Sequence, residues 1–493
     1  MSINVTDKFE TIEDCQRRVL ELVEIARQGG TSEGDAPDAS PVAQEIAHIY
    51  IRMGDLLFAE KNLEGTATCY ATALQLEPTL SSTDIWLKKY KTFLTEMLQH
   101  SPHDINILKL LGDTVRKLGE KSLALDYFQR AFEIDPADGD SLWTITSLQR
   151  DLGLKEADAT YVRAARIKPL IKAEANKNQP NFSVLVISAP PHGGTRTEYL
   201  MKNVPYEVNT FHLFPDVPYD LALLKSCGQI TFNAVSEADL AHNALPLVTH
   251  LVDQLGMPVL NHPSKIKKTT REETALLLQY IPGCRLAQIV RHNAGEPVTA
   301  EALKAKVPFS LPLVARPAGT HSGEQFELID SFTALEDFIR KNPAAAHYLM
   351  EYLDYKSQDG YFRKYRFIFV DGKVMPYHVA IGNTWKVHHG TTDMDKNQWM
   401  QDEEKAFLKN PADFFSPQNL QTLDAILQAV GLEYFGIDCG LDQQGNLVVF
   451  EVNATMFVHG YNDAFPYKIP YVEAIKKAFN DMLQNRAEPL KRA

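Results

Sequence analysis

Residues 436–453, GIDCGLDQQGNLVVFEVN, carry Asp438, Glu451 and Asn453 in two runs that are otherwise apolar. A tight turn centred on Gln444 and Gly445 sets Asp438 directly across from Glu451 in an antiparallel pair. Side chains alternate faces along a strand, so Asn453 joins the Glu451 face, while Ile437, Cys439, Leu441, Val448, Phe450 and Val452 point the other way. Two carboxylates at cross-strand distance repel each other, and the pair needs a cation or a proton between them. Carboxylate and amide oxygens without His or Cys suit Mg2+ rather than Zn2+, with water and nucleotide phosphates completing the shell. The plainer alternative is a solvated hairpin face bearing ordinary polar residues.

Basic and glycine-rich stretches add to this. LPLVARPAGTHSGEQFELI places Arg316 in an apolar run, followed by Gly319, Thr320, His321, Ser322 and Gly323, a loop whose backbone N–H groups can cradle an anion. DGYFRKYRFIFVDGKVMPYHVAIGNTWKVHHG is dense in Arg, Lys, His and Tyr around an Asp371-Gly372 turn. A three-residue loop there puts Arg366 opposite His378, a two-residue loop shifts the register by one, and Pro376 is a candidate for a bulge. In PPHGGTRTEYLM, Gly193 and Gly194 entering a helix would form an anion site, and Glu198 suits that helix's first turn.

These groups need a large scaffold, and 493 residues provide two or three domains. A hydrophobic content of 44% and a charged content of 23% are those of an ordinary globular chain. The net charge of −13 argues against a phosphate-backbone binder, so no nucleic acid partner is expected. No run approaches the roughly 18 apolar residues of a membrane span, and the start MSINVTDKFE lacks signal-peptide features. The chain is read as cytoplasmic with no membrane partner. Five scattered cysteines without a C-x-x-C pair suggest buried free thiols.

Between about residues 41 and 169 the spacing is helical and repeats itself. Gly54, Leu57, Thr66, Tyr70, Ala73 and Pro78 match Gly112, Val115, Ala124, Phe128, Ala131 and Pro136, and Ala157, Tyr161, Ala164 and Pro169 echo the last four. This pattern resembles the tetratricopeptide repeat, with small residues where paired helices touch and a proline at the end. The first two copies are 58 residues apart, so STDIWLKKYKTFLTEMLQ must be an extra helix. RQGGTSEGDAPDASP reads as a flexible loop after a first helix ending near Arg27. After KAEANKNQPN the pattern changes: FSVLVIS, YEVNTFHLF, GQITFNAV and MPVLNHP alternate with helices, as in a parallel sheet, and the later runs are longer and hairpin-like.

On the hairpin and the stretches above, residues 180–485 resemble an ATP-grasp carboxylate-amine ligase, of the ribosomal-protein glutamate ligase, glutathione synthetase and D-alanine-D-alanine ligase types. The resemblance implies a multidomain chain: all-α tetratricopeptide-like repeats (1–175), an α/β pre-ATP-grasp domain (180–265), and an α+β ATP-grasp domain comprising a first ATP-binding subdomain (266–349) and a catalytic subdomain (350–485). It makes Asp438, Glu451 and Asn453 ligands of two Mg2+ ions, for which Mn2+ can substitute. It gives Arg316, where the family usually has Lys, and the 319–323 loop to the ATP phosphates, with either Lys268 or Arg271 as a second basic group. Glu351, Tyr352 and Leu353 would pair with adenine, and Asp354 is a candidate for the ribose, with an N-cap or surface role equally open. Arg366, His378, Lys386 and His388 would neutralise charge on an acyl phosphate and a tetrahedral intermediate. Gly193, Gly194 and Glu198 would meet the substrate.

The expected activity is therefore ATP-dependent amide formation between a carboxylate and an amine, an amino acid or peptide, through an acyl phosphate, with the helical repeats recruiting a peptide or protein. The rival readings are a repeat-based scaffold whose nucleotide domain senses or is inactive, and an ATP-grasp kinase.

Overall fold

The computed structural model describes residues 9–28, 41–190, 194–320, 325–387, 392–459 and 464–487. It divides into two compact units, Met1–Lys168 and Pro169–Ala493.

The first unit is helical: α1 Ile12–Gln28, α2 Pro41–Ala59, α3 Leu63–Leu76, α4 Asp84–His100, α5 Ile105–Lys117, α6 Lys121–Ile134, α7 Gly139–Asp151 and α8 Ala157–Ile167. Side-chain caps start several of them; Asp104 accepts from the N–H groups of Asn106 and Ile107, and Asp138 from those of Asp140 and Ser141. The repeated positions make repeated contacts. A Cβ on Gly54 would lie 2.5 Å from the Tyr70 ring, and one on Gly112 would lie 2.6 Å from the Phe128 ring. In both pairs the glycine lets an aromatic of the second helix lie against the first helix's backbone, while Ala73, Ala131 and Ala164 are fully buried. The extra helix is α4, whose Trp86 and Phe93 rings lie 5.0 and 5.5 Å from Tyr70. Most of the loop read from composition, residues 29–40, lies outside the described residues.

The second unit holds three sheets. In the first, β2 Ser183–Ser188, β3 Glu207–His212, β4 Ile230–Asn233 and β5 Val259–Leu260 run parallel, in the order β3-β2-β4-β5, and β1 Leu170–Ala173 joins β3 antiparallel at the edge. Alternate residues of β2 enter different cores, Leu185 and Ile187 one and Val184 and Val186 the other, which explains its unbroken apolar run. The sheet thus begins before the composition shift at Pro180. β1 is an edge strand with Lys172 and Ala173 exposed, so its sequence does not read as core.

The second sheet comprises β7 Ile289–His292, β8 Leu313–Pro317, β9 Glu327–Ile329 and β10 His347–Glu351, antiparallel in the order β7-β10-β8-β9. The third has the order β12-β11-β13-β14-β6, from β6 Cys284–Leu286, β11 Phe362–Val370, β12 Lys373–Gly382, β13 Tyr434–Leu441 and β14 Leu447–Asn453. Only β6, beside β14, is parallel to its neighbour there. The α/β layer followed by antiparallel hairpins matches the order read from the sequence. No helix among the described residues is long and apolar enough to cross a membrane. Of the five free cysteines four are buried and Cys284 is partly so.

Candidate active site

Two hairpins build the centre, each through a bulge. In β11–β12 the turn has two residues, Asp371 at φ +48° and Gly372 at φ +81°, the left-handed pair of a type I′ turn. That turn alone would misalign Arg366 and His378. Beyond Pro376, which has no N–H to give the ladder, Tyr377 is left unpaired, and the register shifts so that Arg366 faces His378. In β13–β14 the loop is Asp442–Asn446, with Leu441 paired to Leu447, rather than a tight turn at 444 and 445. The Asp442 carboxylate organises it by accepting from the N–H groups of Gln444 and Asn446. A shift between Asp438 and Cys439 then leaves Phe450 without a partner and brings Asp438 opposite Glu451. The expected pairing is present, reached through two departures that cancel. Two face assignments change with it: Val449, not Val448, lies opposite Cys439 and joins the core behind the sheet, and Phe450, unpaired at the bulge, lines the cavity.

The result is a transverse row across four adjacent strands: His378, Arg366, Asp438 and Glu451. Arg366 donates to Asp438 twice, Nε to Oδ1 at 2.6 Å and a terminal nitrogen to Oδ2 at 2.9 Å, and Lys364 Nζ donates to Oδ2 at 2.9 Å. Arg271, first residue of the helix Arg271–Leu278, donates to Glu451 and, at 2.9 Å, to the bulged carbonyl of Phe450. The repulsion between the two carboxylates is therefore already offset by three cationic side chains, where the hairpin alone suggested a metal. Burial pushes the Asp438 carboxyl up, but Arg366 and Lys364 outweigh it and hold the group far below the usual range. Glu451 is lowered in the same way, burial being overcome mainly by Arg271. Both are ionised.

The row floors a cavity of about 1090 Å3 between the second and third sheets. Leu286, Ala287, Ile289, Val314, Met350 and Phe450 give it an apolar wall, alongside Glu351, Tyr352 and Leu353. Arg271, Arg316, Lys364, Arg366, Lys386 and Lys468 also line it. Arg316 on β8 is buried, donates to the Thr320 carbonyl and hydroxyl, and lies 5.6 Å from the Phe326 ring centre. Burial, then the Arg271 charge, lowers it to about 10, which leaves it protonated at neutral pH. Gly319, at φ +73°, and Thr320 line an adjoining recess. Lys386 Nζ donates to the Phe326 carbonyl at 3.0 Å.

Several expectations change. Lys268 is exposed and does not line the cavity, so Arg271 is the basic group that reaches it. Asp354 is exposed and accepts from the Lys356 N–H at 3.0 Å, closing its own turn rather than facing the cavity. Gly194 lines the cavity, its backbone pressed against Ala234, where a Cβ would be 2.6 Å from the carbonyl. No helix follows it; Glu198 stands exposed in a turn, away from the cavity lining. His378 is buried, and burial, then Lys468 and Arg366, push it well below its ordinary value, so it is a neutral ring rather than a standing cation. The amide oxygen of Asn453 accepts from the N–H and hydroxyl of Thr455. Gly193, His321, Ser322, Gly323 and His388 lie outside the described residues.

Lys364, Lys468, Arg196 and His459 were not singled out from the sequence. The Lys364-x-Arg366 alternation on one strand carried a signal for the first; the others follow from tertiary placement alone.

No protein-family model matches the chain, nor does any curated protein. Similar solved structures include D-cycloserine synthetase DcsG, at 11% identity over 62% of this chain and 99% of that one with a TM-score of 0.39. VanG D-Ala:D-Ser ligase from Enterococcus faecalis matches at 12% identity over 63% and 100% of the two chains, TM-score 0.40. ATP-grasp ligase PsnB in complex with precursor peptide PsnA2 and AMPPNP matches at 14% identity over 62% and 99%, TM-score 0.37. At such values the likeness carries no argument about activity, which rests on the chain's own residues.

The buried histidines make the second unit sensitive to pH. His212, lowered to about 4, and His292, His347 and His378 all lie below their ordinary value, in each case chiefly through burial. The unfolded chain takes up these protons near 6.5 while the folded unit does not, so stability falls as pH drops below that value. Each such group contributes at most about 1.4 kcal/mol per pH unit. The urea midpoint of the second unit is expected to fall steadily from pH 7 to pH 5; an unchanged midpoint contradicts the burial assigned to these rings.

Proposed function

We propose that the second unit is an ATP-dependent carboxylate-amine ligase of the ATP-grasp type. The observation that supports this reading best is the cavity between two sheets, apolar along one wall and cationic along the rest, floored by the Arg366–Asp438–Glu451 row. An apolar slot beside a strand end suits a purine, and a cluster of guanidinium and ammonium groups suits its phosphates.

In this reading a carboxylate oxygen of the acid attacks the γ-phosphorus, the bond to the bridging oxygen breaks, and ADP leaves. An amine nitrogen then attacks the acyl carbon, the C–O bond to phosphate breaks, and the nitrogen gives up its proton to solvent or to the departing phosphate. Arg271, Arg316 and Lys364 offset phosphate charge, and Arg366 faces the charge that develops on the acyl phosphate. Asp438 fixes the Arg366 fork through two hydrogen bonds, so that the cation is in position before reaction begins.

Asp438 and Glu451, with Asn453 beside them, have the oxygen donors a magnesium ion takes, and would supply its protein ligands; the ion would offset charge on the nucleotide. Arg271, Arg316, Lys364 and Arg366 outnumber those two carboxylates, so a bare divalent cation meets a net positive field. Calorimetry is expected to show no heat from Mg2+ alone and tighter uptake of a non-hydrolysable ATP analogue with Mg2+ than without it. Analogue binding indifferent to Mg2+ removes the metal from the reading, and no analogue binding removes the ligase. For the first unit the reading is tetratricopeptide-like repeats that recruit a peptide or protein, supported by the recurring glycine–aromatic contact.

A further inference from the structure

Part of the cavity wall is not accounted for by nucleotide chemistry. Arg196 lies 5.6 Å from the centre of the Phe457 ring, and that ring meets His459 edge-on at 4.3 Å. The Tyr377 hydroxyl accepts from the His459 N–H at 2.9 Å, which fixes that strand of wall against β12. Lys468 reaches the same space while held from behind: its Nζ donates at 2.8 Å to Glu404, a carboxylate only 1% exposed that also accepts from the Val379 N–H and the Tyr467 hydroxyl. Glu404 is a positioning residue, spending one of the three ammonium donors to fix the others. Among the described residues Arg196 makes no ion pair, and seven Arg and Lys side chains line the cavity against three carboxylates. Arg196, Lys468 and Arg366 line this one cavity, and each lies near enough to His459 for its charge to act on that ring.

Resting on the ligase reading, we infer that Arg196 and Lys468 form a second anion subsite, so that the acid substrate carries a further carboxylate besides the one activated at Arg366. A guanidinium over an aromatic ring, with a fixed ammonium lining the same cavity, is suited to a planar carboxylate. A monocarboxylic acid would bring no second anion to Arg196 or to the buried Lys468 ammonium.

The test uses the full chain, first with AMPPNP and Mg2+ in calorimetry, then with ATP, Mg2+ and hydroxylamine as the trapping nucleophile. Acids are offered in matched pairs: succinate against butyrate and L-glutamate against L-norvaline. The diacid is expected to exceed its partner in ADP release at low concentration by about tenfold or more. Arg196→Gln should erase that preference by raising the KM for the diacid, while retaining AMPPNP affinity; Arg196→Lys should restore part of it. Arg196 is exposed, so these variants should fold. Equal rates within each pair, an intact preference in Arg196→Gln, or nucleotide uptake with no response to any diacid overturns the inference and leaves the nucleotide site standing. Absence of AMPPNP binding overturns the ligase reading itself.

Discussion

Arg366→Met is expected to lower ADP release by about a hundred- to a thousandfold and to destabilise the second unit by about 3–5 kcal/mol. The two effects have one cause. The Asp438 side chain is 4% exposed, and two of its three ionic hydrogen bonds come from the Arg366 fork. With Met in place, a buried carboxylate keeps only Lys364, and the cost of its desolvation is no longer offset. Asp438→Asn in the Arg366→Met background removes the unpaired charge, and should recover more than half of the lost stability. Activity should not return with it, because the cation facing the acyl phosphate is still missing and Asp438, proposed as a metal ligand, is gone as well. The cycle, read by urea unfolding followed with a probe in the second unit and by ADP release, separates folding from chemistry. Recovery of both together would falsify the placement of Arg366 at the reacting group.

The same row shows what the sequence could and could not supply. Asp438 opposite Glu451 was legible because two apolar runs of matching length flank a loop rich in turn residues. Its geometric derivation nevertheless assumed a regular ladder. A longer loop held by Asp442 and a bulge at Phe450 each move the register, in opposite senses, and only tertiary contacts such as Arg271 on the bulged carbonyl show why. Arg366 and His378 repeat the lesson: the sequence left the Asp371-Gly372 loop open between two and three residues, the turn has two, and the compensating bulge was hinted at by Pro376. The helical repeats were legible for a different reason. Gly54 and Gly112 meet equivalent aromatic rings, so one steric rule acts twice and leaves a period. Conversely, nothing marked out Arg196 within PPHGGTRTEYLM, or Lys468; they come to line the same cavity as Arg366 only when distant segments close round it. Asp354 illustrates the opposite failure, a polar residue next to a strand end that serves its own turn.

Arg316 separates binding from stability in a way that neither a packing role nor an ion-pair role would. Its guanidinium is buried, yet among the described residues it makes no ion pair with a carboxylate; its hydrogen bonds go to Thr320. Charge kept out of water without an opposite partner is costly, and burial already lowers this group to about 10. Such a cation stabilises nothing until an anion arrives. Arg316→Gln should therefore leave the urea midpoint of the second unit unchanged or raised, while the affinity for a magnesium ATP analogue falls by about ten- to a hundredfold. Arg316→Lys keeps the charge but replaces a planar fork with a point, so it should fall between the two, losing the paired contacts to Thr320 while still attracting phosphate. Calorimetry with the analogue and urea unfolding of both variants decide the matter. A variant that is less stable yet binds the analogue as tightly as the parent would make Arg316 a structural strut between β8 and the loop that follows it.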